Sequence, residues 1–121
     1  MLKKGRKKTG GKYIQRRKKK KRELVGQKRI VKLGEEKRKS KKTLGGNKKM
    51  VLFKAKKINV TLKNKKIQVA EIKNVLETPS NRFLARQNII TKGTILDTNL
   101  GKVKVTNRPS QEGIINGILV E

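Results

Sequence analysis

Three runs of cations carry the chemistry this sequence offers. Lys3, Lys4, Arg6, Lys7 and Lys8 form the first, Arg16, Arg17, Lys18, Lys19, Lys20, Lys21 and Arg22 the second, and Lys37, Arg38, Lys39, Lys41 and Lys42 the third. Ammonium and guanidinium groups at this density neutralise phosphates and release the counterions condensed on a nucleic acid, which is a chemistry of binding rather than of bond-breaking. Gly-containing stretches separate the runs. Because glycine lets a backbone approach a ligand closely, an extended chain of this kind can thread between phosphate backbones. A single basic run is as often a solvated helix face, a localisation signal or a solubilising tail. Three in succession favour nucleic-acid contact.

Bond-making chemistry has little to stand on. With no Cys and no His, a disulfide framework, a thiolate nucleophile, a zinc finger and an imidazole base are all excluded. A metal-dependent nuclease needs clustered carboxylates. Here Glu35 and Glu36 are sequence neighbours, while Glu71, Glu77, Asp97, Glu112 and Glu121 are scattered and read as local charge balance. Gly93, Gly101 and Gly113 lie between short strand patterns without phosphate-loop spacing, and read as turn residues. No catalytic residue, metal, cofactor or small-molecule substrate is therefore expected. Readers of single-stranded RNA stack bases on aromatic rings, but this chain has only Tyr13, Phe53 and Phe83. Phe53 fits the apolar face of a strand and is expected in the core, and Phe83 is expected to pack a connection onto it. Recognition should then run through phosphate and sugar contacts and the shape of folded RNA. The apolar runs span only a few residues and none follows MLKKGRKK, so neither a spanning helix nor a secretory signal is expected, and the protein reads as intracellular with no membrane partner.

The elements that position these cations differ between the two parts of the chain. Its 121 residues hold 36 Lys and Arg against 8 Asp and Glu, a formal charge of +28, which demands a polyanionic partner. Residues 1–49 carry 23 of the basic residues and only 10 apolar ones; residues 50–121 carry 13 and 29. The first part is expected to be a basic, mostly irregular extension, disordered in isolation, and only the second to build a core. A core of that size is marginal and gains from a bound partner.

From Met50 onward the pattern is that of strands. Phe53 and Ala55 alternate with lysines, then Ile58, Val60 and Leu62 alternate in the opposite phase. That slip predicts a β-bulge near Lys56-Lys57. Lys63 to Lys66 reads as a hairpin turn with Asn64 in the left-handed conformation, and a return strand over about 67–76 follows. Thr78 to Asn81 breaks the strand, and residues 82–87 form one or two helical turns capped by Ser80 or Asn81. This connection bears Arg82 and Arg86. A hairpin over residues 94–105 turns at Asn99-Leu100-Gly101, residues 109–113 make the last turn, and residues 114–120, apolar on both faces apart from Asn116 and Gly117, read as a strand buried within a small barrel. The expected fold class is all-β, a small barrel at 50–121 preceded by a basic extension at 1–49.

Particular segments add what composition does not. GRKKTGGK at 5–12, KKRELVG at 20–26, KLGEEKRK at 32–39, GGNKK at 45–49, EIKNVLETPSN at 71–81, RQNIITKG at 86–93 and LGKVKVTNRPSQEGIINGILVE at 100–121 resemble, in order and over nearly the whole chain, the archaeal and eukaryotic small-subunit ribosomal protein family eS-eight. The chain lacks the long insertion of eukaryotic members and so resembles the archaeal form. The resemblance implies a cytoplasmic structural constituent of the small ribosomal subunit, with a β-barrel and an extension buried in RNA. Its implied partners are small-subunit rRNA and neighbouring small-subunit ribosomal proteins. By motif match it implies rRNA contact at Thr9, Gly10 and Gly11 with Lys7, Lys8 and Lys12, at Asn47 with Lys48 and Lys49, and at Arg86, Lys92 and Arg108. Two positions depart from the family pattern: Lys8 stands where a proline often precedes TGG, and Gln87 replaces the second of two arginines before NIITKG. On charge alone, a free-standing nucleic-acid chaperone or DNA-compacting protein is the alternative.

Overall fold

Ile58 and Val60 alternate with polar neighbours, as do Val103 and Val105, and all four are at most 1% exposed. Period-two patterning sends such side chains to one face of a strand, and the fold is the closure of strands around that face. A computed structural model describes residues 5–14 and 17–120. Along them run β1 (Lys32–Leu33), β2 (Lys37–Lys42), β3 (Lys48–Ala55), β4 (Lys57–Thr61), β5 (Ile67–Glu77), α1 (Arg82–Arg86), β6 (Ile95–Thr98), β7 (Gly101–Val105), α2 (Pro109–Glu112) and β8 (Asn116–Leu119). The regular structure is mostly strand, and β4 to β8 form a closed five-stranded barrel. Neighbours in sequence pair antiparallel. Parallel pairing of β8 with β4, Asn59 opposite Asn116 and Thr61 opposite Ile118, completes the circle.

β1, β3 and β2 make a second sheet in that order, with β1 parallel and β2 antiparallel to β3. Leu52 and Ala55 of β3 enter the core that the barrel encloses, together with Val31 and Ile90. Val31 lies in the stretch expected to contribute nothing to a core, yet it is 1% exposed, and such burial stabilises by about 1.5–3 kcal/mol. Backbone bonds hold it in place: Ile90 donates to the Val31 carbonyl at 2.8 Å and Leu33 to that of Asn88 at 3.0 Å. The basic stretch 37–42 is likewise a strand rather than irregular chain. Lysines face lysines across it at 37 and 54, 41 and 49, and 42 and 48, a repulsion that exposure to solvent screens, and β3, which runs through residues 49 and 50, supplies the hydrogen bonds.

Four expectations need correction. The phase slip at Lys56-Lys57 is not a bulge in one strand; it is where the chain leaves β3 for β4 and passes from one sheet to the other. Register irregularities lie instead at Phe53 of β3, where Lys37 and Arg38 stand opposite Lys54 and Leu52, and between β5 and β6 at residues 72–74 and 75–77. In the hairpin after β4, Lys65 (φ 58) and not Asn64 is left-handed. Lys65 donates to Leu62 at 2.9 Å and Leu62 to Lys66 at 2.9 Å, the three-residue loop in which the left-handed residue follows the turn. The last strand is buried on one side only. Ile115 and Gly117 face inward, while Ile114, Ile118 and Val120 are 37%, 53% and 41% exposed. Phe83, finally, points outward from α1, 59% exposed; Ala85 is the residue of that helix packed on the core. The helix itself begins as expected, the Asn81 side chain accepting from Phe83 N at 2.9 Å.

Candidate nucleic-acid interface

The first basic run is shaped by a tight loop. Arg6 and Lys12 face each other in an isolated antiparallel bridge. Between them Lys7 donates to the Gly11 carbonyl at 3.0 Å and Gly10 to that of Lys7 at 2.9 Å. Gly10 takes φ 78, where a side chain is strained. The Arg6 guanidinium donates to the Gly10 carbonyl at 2.9 Å, so the loop holds Lys7, Lys8, Thr9 and Gly11 exposed around a fixed turn. Lys7 Nζ lies 5.8 Å from the Tyr13 ring centroid, a cation–π distance. Lys3, Lys4 and Arg16 lie outside the described residues.

In the second run one arginine is committed within the chain. Arg17 makes a two-pronged contact with Glu23 at 2.9 and 2.6 Å, and Glu23 also accepts from Lys20 N at 3.0 Å. The guanidinium holds the Glu23 carboxyl below the usual carboxylate range, with the Lys20 bond as a second cause, and the same contact raises Arg17. Lys18, Lys19, Lys20, Lys21 and Arg22 are exposed along an extended stretch and a single 3₁₀ turn at Lys21–Glu23. In the third run Arg38 is paired with Glu36. Lys37, Lys39, Lys41 and Lys42 project from β2 at exposed positions. The turn at Asn47 is closed by Thr43, whose N and Oγ1 both donate to the Asn47 carbonyl, at 2.7 and 3.0 Å. Lys48 and Lys49 follow on β3, and Lys49 Nζ reaches Gln111 Oε1 at 2.5 Å.

On the barrel, Arg82 and Arg86 stand exposed on α1. Lys92 and Arg108, 16 residues apart in sequence, line one depression with Arg29. The loop that presents Arg108 is built by Glu112, which accepts from Arg108 N at 3.0 Å and from Asn107 Nδ2 at 3.1 Å. These bonds, the Arg108 one first, hold its carboxyl below the usual range.

Sequence reading missed Lys28 and Arg29, which form no part of the three runs. They flank an open groove of about 580 Å³ with Lys39 and Lys41, floored by Ile30, Val51 and Phe53. Phe53 is half-buried and is not among the core residues expected to hold it. A break in the alternation explains this: Arg38 pairs with Leu52 and Lys37 with Lys54, so Phe53 is an extra, unpaired residue of β3, and Leu52 and Ala55 on either side of it both reach the core. Only the pairing of β3 with β2 and the path of residues 26–30 bring these groups together, so no local spacing signals the groove.

A closed barrel with a small cationic sheet at its side, carrying lysines and arginines on exposed loops and strands, defines a basic β-barrel protein suited to a polyanion. Comparison narrows the class. The chain belongs to the ribosomal protein S8e family, whose model matches residues 2–120. It is 47% identical over 118 residues to the small ribosomal subunit protein eS8 of Staphylothermus marinus, covering 96% of this chain and 92% of that one. To the protein of the same name from Methanosarcina barkeri it is 42% identical over 117 residues, covering 96% and 94%.

Proposed function

We propose that this protein is a structural, non-enzymatic constituent of the small ribosomal subunit in the cytoplasm, binding rRNA by phosphate neutralisation and shape recognition and so supporting subunit assembly and translation. What carries the reading is family membership over nearly the whole chain, joined to relatives whose names place them in the small subunit. The exposure of the basic residues supports the physical half of it. Residues 1–49 serve as the rRNA-threading part: the loop at 6–12 and the stretch 17–22 reach between RNA backbones, and β2 presents its lysines from a rigid strand. The barrel beyond residue 50 docks beside neighbouring ribosomal proteins and fixes where the threading part enters, with Arg82, Arg86, Lys92 and Arg108 toward rRNA.

Salt titration of binding tests this mechanism. About 8 to 10 phosphate contacts give a slope of log affinity against log salt of roughly −6 to −9 on rRNA. Replacing the cations of residues 3–8 and 16–22 by Gln in the full chain should weaken binding sharply and flatten the slope. An unchanged slope would refute the threading role.

A further inference from the structure

The groove beside β3 has a composition that phosphate neutralisation does not require. Its floor combines the half-buried Phe53 with Ile30, which is 47% exposed. Its walls carry Lys28, Arg29, Lys39 and Lys41, and among the described residues no carboxylate lines it. A second open groove, about 490 Å³, shares Phe53, Ile30 and Lys39 with the first and is bounded by Lys32 and Lys37. The aromatic side chain therefore sits where two cation-lined grooves meet. Phosphates alone would be served by lysines on a polar surface, and a dry protein partner by an apolar floor without a ring of like charges. An apolar, aromatic floor under cationic walls matches a nucleotide, whose base has a flat apolar face and whose phosphates are anionic. The larger groove also falls in the ~300–1,000 Å³ range of sites that enclose small ligands.

We propose that this groove receives one unpaired base of rRNA, extruded from its helix, which packs on Phe53 and Ile30 while Lys28, Arg29, Lys39 and Lys41 hold the flanking phosphates. The inference rests on the rRNA-binding reading and deepens it: the protein reads one single-stranded feature in addition to backbone charge. Residues 26–30 form one wall and β2 and β3 the other, so the site is complete only when that segment lies across the sheet. Because base stacking releases no counterions, Phe53 should contribute to affinity without contributing to salt dependence.

The test uses the full chain and protein-free small-subunit rRNA. Three readouts are compared for the wild type, Phe53→Leu and Phe53→Tyr: affinity, salt slope and chemical reactivity of each unpaired base. The expected result is one base protected by the wild type and by Phe53→Tyr and reactive with Phe53→Leu. Affinity should fall about 5- to 160-fold in Phe53→Leu, the span of one lost base–aromatic stack, at unchanged slope. Ultraviolet crosslinking of the wild type, which needs no variant to fold, should join a peptide containing Phe53 to that same nucleotide. Base reactivities identical in Phe53→Leu and wild type, or a Phe53 crosslink to protein instead of RNA, would overturn the proposal while leaving rRNA binding intact. Failure of the wild type to bind rRNA at all would instead refute the function on which it rests.

Discussion

Gly117 is the point at which barrel closure can be tested with a single methyl group. It lies on β8 between two partners, opposite Val60 of β4 and Val105 of β7. A Cβ added there would overlap Val103 Cγ1 and lie 2.9 Å from the Lys104 carbonyl oxygen and 3.1 Å from Ile58 Cδ1. The first of these could be relieved by a side-chain shift, but the second is backbone inside a paired strand and cannot move without opening the β7–β8 ladder. Overpacking of this kind costs about 1–3 kcal/mol. For a domain of this size about 1 kcal/mol lowers Tm by roughly 4–8 °C, so Gly117→Ala should lose about 5–20 °C in thermal unfolding followed by circular dichroism. Gly26→Ala is the control, since a Cβ there meets nothing within 4 Å, and its stability should stay within about 0.5 kcal/mol of wild type. Combined with Val103→Ala, which removes one of the clashing atoms, Gly117→Ala should cost less than the two single changes added. A Tm for Gly117→Ala within about 2 °C of wild type would refute the closure of β8 between β4 and β7.

Two further outcomes follow from polar groups. Thr78 is 1% exposed, and among the described residues its Oγ1 has no hydrogen-bond partner; an unsatisfied buried hydroxyl costs about 1–3 kcal/mol. Thr78→Val should therefore raise the denaturant midpoint, and a lowered midpoint would contradict the burial of that hydroxyl. Glu112, held low by the Arg108 and Asn107 bonds, has a folded-state pKa below its unfolded one. It stabilises the fold fully above about pH 4.3, and that contribution is lost as pH falls through the depressed folded value. Glu112→Gln should thus be less stable at neutral pH and lose less on acidification, as read from Tm against pH; an identical acid limb in both proteins would show that the carboxylate does not hold the 107–113 loop.

Much of the barrel is legible from sequence because local chemistry and tertiary structure agree there. Val103 and Val105 alternate with lysines, Asn99 to Gly101 turns, Asn81 caps, and each feature appears where the pattern puts it. The β2–β3 ladder is not legible, since KRKSKK has no apolar face and its strand state comes entirely from pairing with β3. Val31 is missed for a related reason: Ile30, Val31 and Leu33 are too short an apolar run in a basic stretch to set a period, and the bonds to Asn88 and Ile90 draw the segment inward. In the interface, individual cations were visible as runs, but charge density does not reveal that Arg17 and Arg38 face carboxylates. Nor does it reveal that Arg29 meets Lys92 and Arg108. Those associations depend on chain path. Phe53 escapes the core although its second neighbours Val51 and Ala55 are buried, because the pairing with β2 skips it, and such a break in register has no local signal.

The most direct test of the central claim is protein–RNA crosslinking with mass spectrometry on small ribosomal subunits purified from the source organism. The account predicts crosslinks from residues 6–12, 17–22 and 37–42 to several separated segments of rRNA, with Arg82, Arg86, Lys92 and Arg108 adding contacts from the barrel. Absence of the protein from those subunits, or its recovery on DNA instead, would contradict it.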